Sequence, residues 1–219
     1  MSDYPSIGPL PAGTRALVVT VSDGVAAGTR QDESGIALAD RLVRAGFRVD
    51  RIAVADDRAA IEGALRDGAI EHALVISTGG TGLTPRDVTP QATHAVIDYE
   101  VPGLAEAIRA AGRAKTPMAD LSRGVVGVIG RSLVVNTPGS PRAALESLAA
   151  IEPTLAHALE TLAGPFDHGT AGAGRSARPD LPDPDASDVP PVEAGDDNES
   201  WVPIPDENDE WRDLPGERS

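Results

Sequence analysis

Thr78-Gly79-Gly80-Thr81-Gly82-Leu83-Thr84-Pro85-Arg86-Asp87-Val88-Thr89-Pro90 places three glycines, four threonine hydroxyls, an arginine and an aspartate between an apolar run and a helix start. Glycines let backbone N–H groups converge on an anion, Arg86 adds a fork of donors, and Asp87 offers a hard oxygen ligand. The stretch therefore reads as an address for phosphate and a divalent metal. The run before it, Ala73-Leu74-Val75-Ile76-Ser77, has the continuous apolar character of a fully buried strand. A glycine loop at that strand's carboxyl end predicts an α/β protein with its ligand crevice on this edge of the sheet.

Working outward, strand and helix alternate from Arg15 to Gly164. Ala16 to Ser22 is a second continuous apolar run, suited to a strand covered on both faces. After Asp32, Ile36, Ala39, Leu42 and Val43 recur at helical spacing as far as Gly46. Phe47 to Ala55 returns as a partly alternating strand, and Asp56-Asp57 opens a helix with Ile61, Ala64 and Leu65 on one side. Thr89-Pro90 predicts an N-cap and first helical residue, and Pro102 opens another helix. The runs Gly124 to Ile129 and Leu133 to Asn136, around Gly130-Arg131-Ser132, predict a hairpin or one antiparallel member. Ser140-Pro141 caps a further helix, and Thr154 to Leu162 continues a final one. This alternation predicts a three-layer αβα sandwich with a mostly parallel sheet.

Composition narrows the functional classes. The absence of cysteine excludes disulfides, thiolate metal sites and cysteine nucleophiles. The four histidines, His72, His94, His157 and His168, lack metal-ligand spacing and read as surface or structural residues. No Walker A motif is present, the only lysine is Lys115, and the turn Ser22-Asp23-Gly24-Val25-Ala26-Ala27-Gly28 does not carry the dinucleotide fingerprint. No apolar run approaches the roughly 18 residues of a membrane span, and Met1 to Pro11 has neither a basic nor a hydrophobic leader region. A cytoplasmic protein without membrane or nucleic-acid partners is expected, in keeping with a net charge of −15.

That charge is uneven. Residues 165–219 hold 15 acidic and 4 basic residues and 9 of the 19 prolines. A segment of this kind buries too little apolar surface to offset its ordering entropy, which predicts a disordered acidic tail. Trp201 and Trp211 lie within it among acids, so it reads either as a solubilising tail or as a docking segment for a protein partner. The expected organisation is a flexible segment at 1–14, a core domain at 15–164 and the tail at 165–219.

Five motifs then fall in order: Val21-Ser22-Asp23, Asp32-Glu33-Ser34-Gly35, Gly79-Gly80-Thr81-Gly82 with Arg86-Asp87-Val88-Thr89, Leu121-Ser122-Arg123-Gly124, and Asn136-Thr137-Pro138-Gly139-Ser140-Pro141. Together they resemble the Mog/MoaB family of molybdenum cofactor biosynthesis, related to the G domain of gephyrin, over Arg15 to about Gly164. The resemblance implies an α/β sandwich, commonly a homotrimer. Its catalytic branch adenylylates the terminal phosphate of molybdopterin, with ATP as co-substrate and Mg2+ as the metal. A family member that binds pterin or a protein partner without turnover is the alternative.

Adenylyl transfer brings two polyanions together, so its main demand is charge neutralisation. Asp56 and Asp87, each following a strand of the same expected sheet, are the carboxylates for catalysis and for the metal, and by resemblance both match acidic positions important in the family. Each also fits a helix N-cap. Ser22 and Asp23 at the end of the first strand, the loop Gly79, Gly80, Thr81, Gly82 and Arg86, the pair Ser122 and Arg123, and Asn136, Pro138, Gly139 and Ser140 are the expected substrate contacts. Ordinary turn, surface ion-pair and capping roles are the competing readings for these residues.

Overall fold

The computed structural model describes residues 7–8 and 10–164; the tail expected at 165–219 and part of the segment 1–14 lie outside the described residues. Two strands with no exposed position organise the rest. In β1 (Arg15–Val21) every residue from Ala16 onward is buried, as is all of β3 (Leu74–Thr78). Strands buried on both faces do not alternate in polarity, and for that reason both appeared in the sequence as unbroken apolar runs.

Among the described residues the sheet has six strands in the order β2-β1-β3-β6-β5-β4, with β2 at Arg48–Val54, β4 at Tyr99–Glu100, β5 at Val126–Ile129 and β6 at Ser132–Thr137. β2, β1, β3 and β6 run parallel, and β5 is antiparallel to both its neighbours. The expected hairpin is thus β5–β6, with Ile129 opposite Ser132. β2 is an edge strand and mostly exposed, which explains its partly alternating pattern.

Side-chain parity sends the two faces of the sheet into separate cores. Ala16, Val18, Leu74, Ile76, Leu133 and Val135 pack with α2 (Glu33–Arg44), α5 (Pro102–Arg113) and α6 (Pro141–Ala163). Leu17, Val19, Val21, Val75 and Val134 pack with α3 (Arg58–Glu71) and α4 (Thr89–His94). The chain is therefore an α/β fold with a mixed, mostly parallel sheet flanked by helices on both faces, as the alternation predicted.

Several local expectations need correction. Asp57, not Asp56, caps α3, its carboxylate accepting from Ala60 N at 2.9 Å. Thr89 is inside α4 rather than its cap, Val88 holds the cap position without a side-chain bond, and the Thr89 hydroxyl donates to Gly79 O at 2.9 Å. The segments expected after Ser140 and from Thr154 form one 23-residue helix. Pro153 lies inside it, but Ala144, Leu148, Ile151, Leu155 and Leu159 are all buried on one stripe across the proline. Each large aliphatic side chain so buried contributes about 1.5–3 kcal/mol, and two or three of them offset the roughly 3 kcal/mol cost of an internal proline. Two turns of helix are too short to show a period in the sequence: α1 (Asp23–Ala26) and a 3-10 turn at Pro117–Leu121. Ser140 caps α6 as expected, accepting from Ala143 N at 3.3 Å. No described helix is long and apolar enough to cross a membrane.

α2 and α6 are tied by a buried ion pair, Arg41 to Glu152 at 2.5 Å, with Glu152 wholly buried. Burial pushes the Glu152 carboxyl above its usual range while Arg41 draws it back. From β1 the chain crosses to β2 on one side and then to β3 on the other, so the strand order reverses between β1 and β3. The crevice beyond their carboxyl ends is where an open α/β sheet binds its ligand.

Candidate functional site

Two clefts open on this edge, separated by the glycine loop. The first, of about 340 Å3, is walled by Thr20, Val21 and Ser22 from β1 and its exit, Thr78, Gly79 and Gly80 after β3, Asp56 after β2, and Gly139, Ser140 and Pro141 before α6. The second, of about 260 Å3, begins where the loop continues: Thr81, Gly82 and Ser122 share it with Pro138, Ile108, Arg109, Met118 and Leu121. The first lining is mainly polar and backbone. The second is mainly apolar, with a few polar groups at its rim.

The loop's shape depends on close backbone approach. Gly79 has φ +104°, and a Cβ there would stand 2.4 Å from the Val21 carbonyl oxygen. Gly80 has φ +64°, and a Cβ there would meet the Thr89 hydroxyl at 2.3 Å. Strand β6 and helix α4 pin this backbone, because Gly79 N donates to Thr137 O at 3.1 Å and Thr89 N to Gly80 O at 3.1 Å. Thr78 Oγ1 donates to Pro138 O at 2.8 Å, which joins the loop to the Pro138-Gly139 turn after β6.

The polar residues read from the sequence divide into three groups. Asp56 lines the first cleft without a capping role. Its Oδ2 accepts from Asp23 N at 3.0 Å while Asp23 Oδ1 accepts from Asp56 N at 3.0 Å, and Arg86 donates to the other Asp23 oxygen. These bonds fasten together the loops after β1, β2 and β3, so Asp23 and Arg86 hold the frame. A second group braces the loop from behind. Arg123 donates through Nε to Gly82 O at 2.7 Å and through a terminal nitrogen to Asp87 O at 2.5 Å. Asn136, 2% exposed, donates to Ser77 Oγ and Thr93 Oγ1 and accepts from Val125 N, so all its polar atoms face inward. The third group lies open at the clefts: Gly79, Gly80, Gly139 and Ser140 in the first, Thr81, Gly82, Ser122 and Pro138 in the second. Ser22 also faces the first cleft, while its Oγ caps α1 through Val25 N at 3.4 Å.

Asp87 stands between these groups. Its Oδ2 accepts from Thr84 N at 2.8 Å and from Thr84 Oγ1 at 2.6 Å, so it organises the turn at 84–87 rather than helix α4. The Thr84 hydroxyl holds the Asp87 carboxyl below its usual range, helped by the Thr84 and Gly82 amides and the Arg123 charge against the opposing effect of burial. The sign follows: a carboxylate with a depressed folded pKa stabilises the fold fully above its unfolded value, roughly 3.9, and that contribution is lost as pH falls through the lower folded value. Asp87→Asn keeps one acceptor but loses the charge, and should cost about 1–2 kcal/mol at pH 7. Urea unfolding of parent and variant should show a constant gap above about pH 5 that closes below about pH 4. A gap unchanged down to pH 3 would remove the charge from this role.

Several residues that line the first cleft carried no site expectation, Asp32 and Arg30 among them. Asp32 caps α2 through Gly35 N at 2.8 Å and accepts from Thr20 Oγ1 at 3.0 Å; its capping signal was legible, its place in the cleft wall was not. Arg30 also lines this cleft, from a loop whose sequence has no distinguishing signal.

Among the described residues no group of three or more acidic or histidine side chains is placed to hold a metal. Mg2+ keeps several waters and is often held by one or two carboxylates plus substrate phosphates. Asp56, in the polar cleft, and Asp87, bonded to Thr84 at the end of the glycine loop, are carboxylates of the kind that smaller donor set uses.

With this geometry in view, the family described as "Probable molybdopterin binding domain" matches residues 17–157. The chain belongs to that family. A molybdenum cofactor biosynthesis bifunctional protein of Synechococcus elongatus is 43% identical over 161 residues, which are 73% of this chain and 50% of that protein. A similar bifunctional protein of Chlorobaculum tepidum is covered to 49%, so the chain spans about half the length of these two curated relatives. The molybdopterin adenylyltransferase of Escherichia coli K12 is 37% identical over 143 residues, 63% of this chain and 73% of that one. Among solved structures, the Mog protein of Mycobacterium ulcerans superposes with a TM-score of 0.65 at 41% identity, covering 68% of this chain and 99% of the other. The molybdopterin biosynthesis enzyme MoaB from Thermus thermophilus does so at 0.63 and 48%, covering 70% and 99%. For a member of this family, two clefts on either side of one glycine loop are the feature that calls for a chemical reading.

Proposed function

We propose that this chain binds molybdopterin and transfers AMP from ATP to its terminal phosphate, releasing pyrophosphate. One observation carries the reading: a single glycine loop forms a wall of both a polar cleft holding a carboxylate and a largely apolar cleft. A two-substrate phosphoryl reaction needs such adjacent compartments. The triphosphate suits the polar cleft and the flat pterin the apolar one, with their phosphates meeting at residues 79–82. Molybdopterin adenylyltransferases among the relatives support the same assignment.

In this mechanism an oxygen of the pterin's terminal phosphate attacks the α-phosphorus of ATP in line, the bond from that phosphorus to the bridging oxygen breaks, and the electron pair leaves with pyrophosphate. The dianionic nucleophile needs no general base, so the protein's task is to position the reactants and neutralise charge. Backbone N–H groups of Gly80, Thr81 and Gly82 face the developing charge on a loop that Gly79 N anchors to Thr137 O, and Ser140 and Gly139 close the nucleotide side. Thr81, Ser122 and Pro138 orient the pterin phosphate. Asp23, Arg86, Arg123 and Asn136 act at one remove by holding those groups rigid. Mg2+, held by Asp56 and Asp87, would supply further neutralisation of phosphate charge.

Purified protein incubated with molybdopterin, ATP and magnesium should yield adenylylated pterin by mass spectrometry; no product with authentic substrate would overturn the proposal. The family resemblance also leads us to expect a homotrimer. Multi-angle light scattering at micromolar concentration should return three times the 22.5 kDa chain mass, and a monomer mass would refute it.

A further inference from the structure

The cations that the sequence offered to phosphate are already engaged: Arg86 with Asp23, and Arg123 with the carbonyls of Gly82 and Asp87. Arg51, near the cleft wall, faces Asp32 at 3.3 Å. Arg30 is different. It lines the polar cleft, and its side chain makes no hydrogen bond or ion pair among the described residues. Its backbone, by contrast, is fixed. The Gly24 carbonyl accepts from Thr29 N at 2.9 Å, from Arg30 N at 3.0 Å and from Thr29 Oγ1 at 3.1 Å, which closes the loop between α1 and α2.

The same cleft carries the carboxylates of Asp32, Glu33 and Asp56. A polyphosphate entering it meets those negative charges, and Arg30 supplies the compensating one. Arg30 belongs to the polar cleft and not to the glycine-loop wall that the two clefts share. Transfer at that wall puts the α-phosphorus next to the loop, so the β- and γ-phosphates extend into the remainder of the polar cleft.

From this arrangement we infer that Arg30 binds the terminal pyrophosphate portion of the nucleoside triphosphate, selecting triphosphate over monophosphate and holding the leaving group. The inference rests on the nucleotidyl-transfer reading above and names a residue which that reading does not contain. The guanidinium fork forms two charge-assisted bonds with adjacent phosphate oxygens, a geometry lysine cannot reproduce.

Calorimetric titration of the full-length protein with ATP, AMP and inorganic pyrophosphate at one magnesium concentration provides the test. Arg30→Ala should weaken ATP and pyrophosphate about 20-fold and AMP less than about twofold, and Arg30→Lys should recover part of the loss. Arg44→Ala, which removes a charge at the far end of α2, should change none of the three. Melting curves of both Arg30 variants establish that they are folded; the lysine variant serves if alanine is not. Parent-like affinity of Arg30→Ala for ATP and pyrophosphate overturns the inference, as does an equal loss for AMP, which would place Arg30 at the α-phosphate. If the parent forms adenylylated pterin and the Arg30 variant binds ATP equally well, only the inference falls. If the parent binds pyrophosphate through Arg30 but no adenine nucleotide, the phosphate site stands and the adenylyl-transfer reading falls. A parent that binds neither overturns both.

Discussion

Gly79→Ala should lower the melting temperature by about 10 °C and abolish the proposed adenylyl transfer. At φ +104° an alanine is strained wherever it sits, and here its Cβ would also lie 2.4 Å from the Val21 carbonyl oxygen. The first effect costs about 1–2 kcal/mol and the steric overlap about 1–3 more. The neighbour is backbone of a fully buried strand, so it cannot swing aside as a side chain would. Gly79 itself is tied to Thr137 O and to the Thr89 hydroxyl, and a Cβ on Gly139 would already come within 3.3 Å of its Cα. For a domain of this size about 2–4 °C is lost per kcal/mol, which gives the expected shift. Gly63→Ala is the contrast. It lies inside α3 with nothing within 4 Å of an added Cβ, and should raise stability by about 0.5–1 kcal/mol. If Gly79→Ala melted within a degree or two of the parent, the loop would be softer than its bonding indicates and its role as a rigid wall between two clefts would fail.

The contrast between those glycines marks what could be read from the chain alone. Burial on both faces gives β1 and β3 unbroken apolar runs, so the strands that carry the crevice were the most visible elements in the sequence. Helix α2 was equally visible, because its period and its cap at Asp32 agree. Four-residue α1 and two-residue β4 are too short for any period and were found only in the structure. At the site, the glycine loop was legible because its backbone conformation demands particular residues. Side-chain direction was not. Arg123 and Arg86 have the composition of phosphate ligands, yet both turn toward protein acceptors, a choice set by where the loops after β1, β3 and the 3-10 turn meet in space. Arg30 shows the converse. It lies among ordinary loop residues, and only folding brings it to the cleft that holds Asp56.

Asp56 and Asp57 are adjacent acids that the sequence could not tell apart, and the structure assigns them different work. Asp57 caps α3 through Ala60 N; Asp56 lines the polar cleft, and its carboxylate accepts from the Asp23 amide. Asp57→Ala should therefore cost about 1 kcal/mol of stability with turnover nearly unchanged, since it removes a cap and nothing in the cleft. Asp56→Asn should do the reverse. The amide oxygen can still accept from Asp23 N, so stability should stay within about 1 kcal/mol of the parent. What disappears is the negative charge proposed to hold the metal against substrate phosphates. Losing roughly 3 kcal/mol of transition-state stabilisation should slow the proposed adenylyl transfer about 100-fold. Single-turnover rates at saturating pterin, paired with melting curves for both variants, measure the two effects separately. Because metal-bound nucleotide is the species that Asp56 would hold, the defect of Asp56→Asn should shrink as magnesium is raised, whereas a mere distortion of the loop would persist at every magnesium concentration. Parent-like turnover in a folded Asp56→Asn protein at limiting magnesium would take Asp56 out of the mechanism and leave Asp87 as the carboxylate to account for.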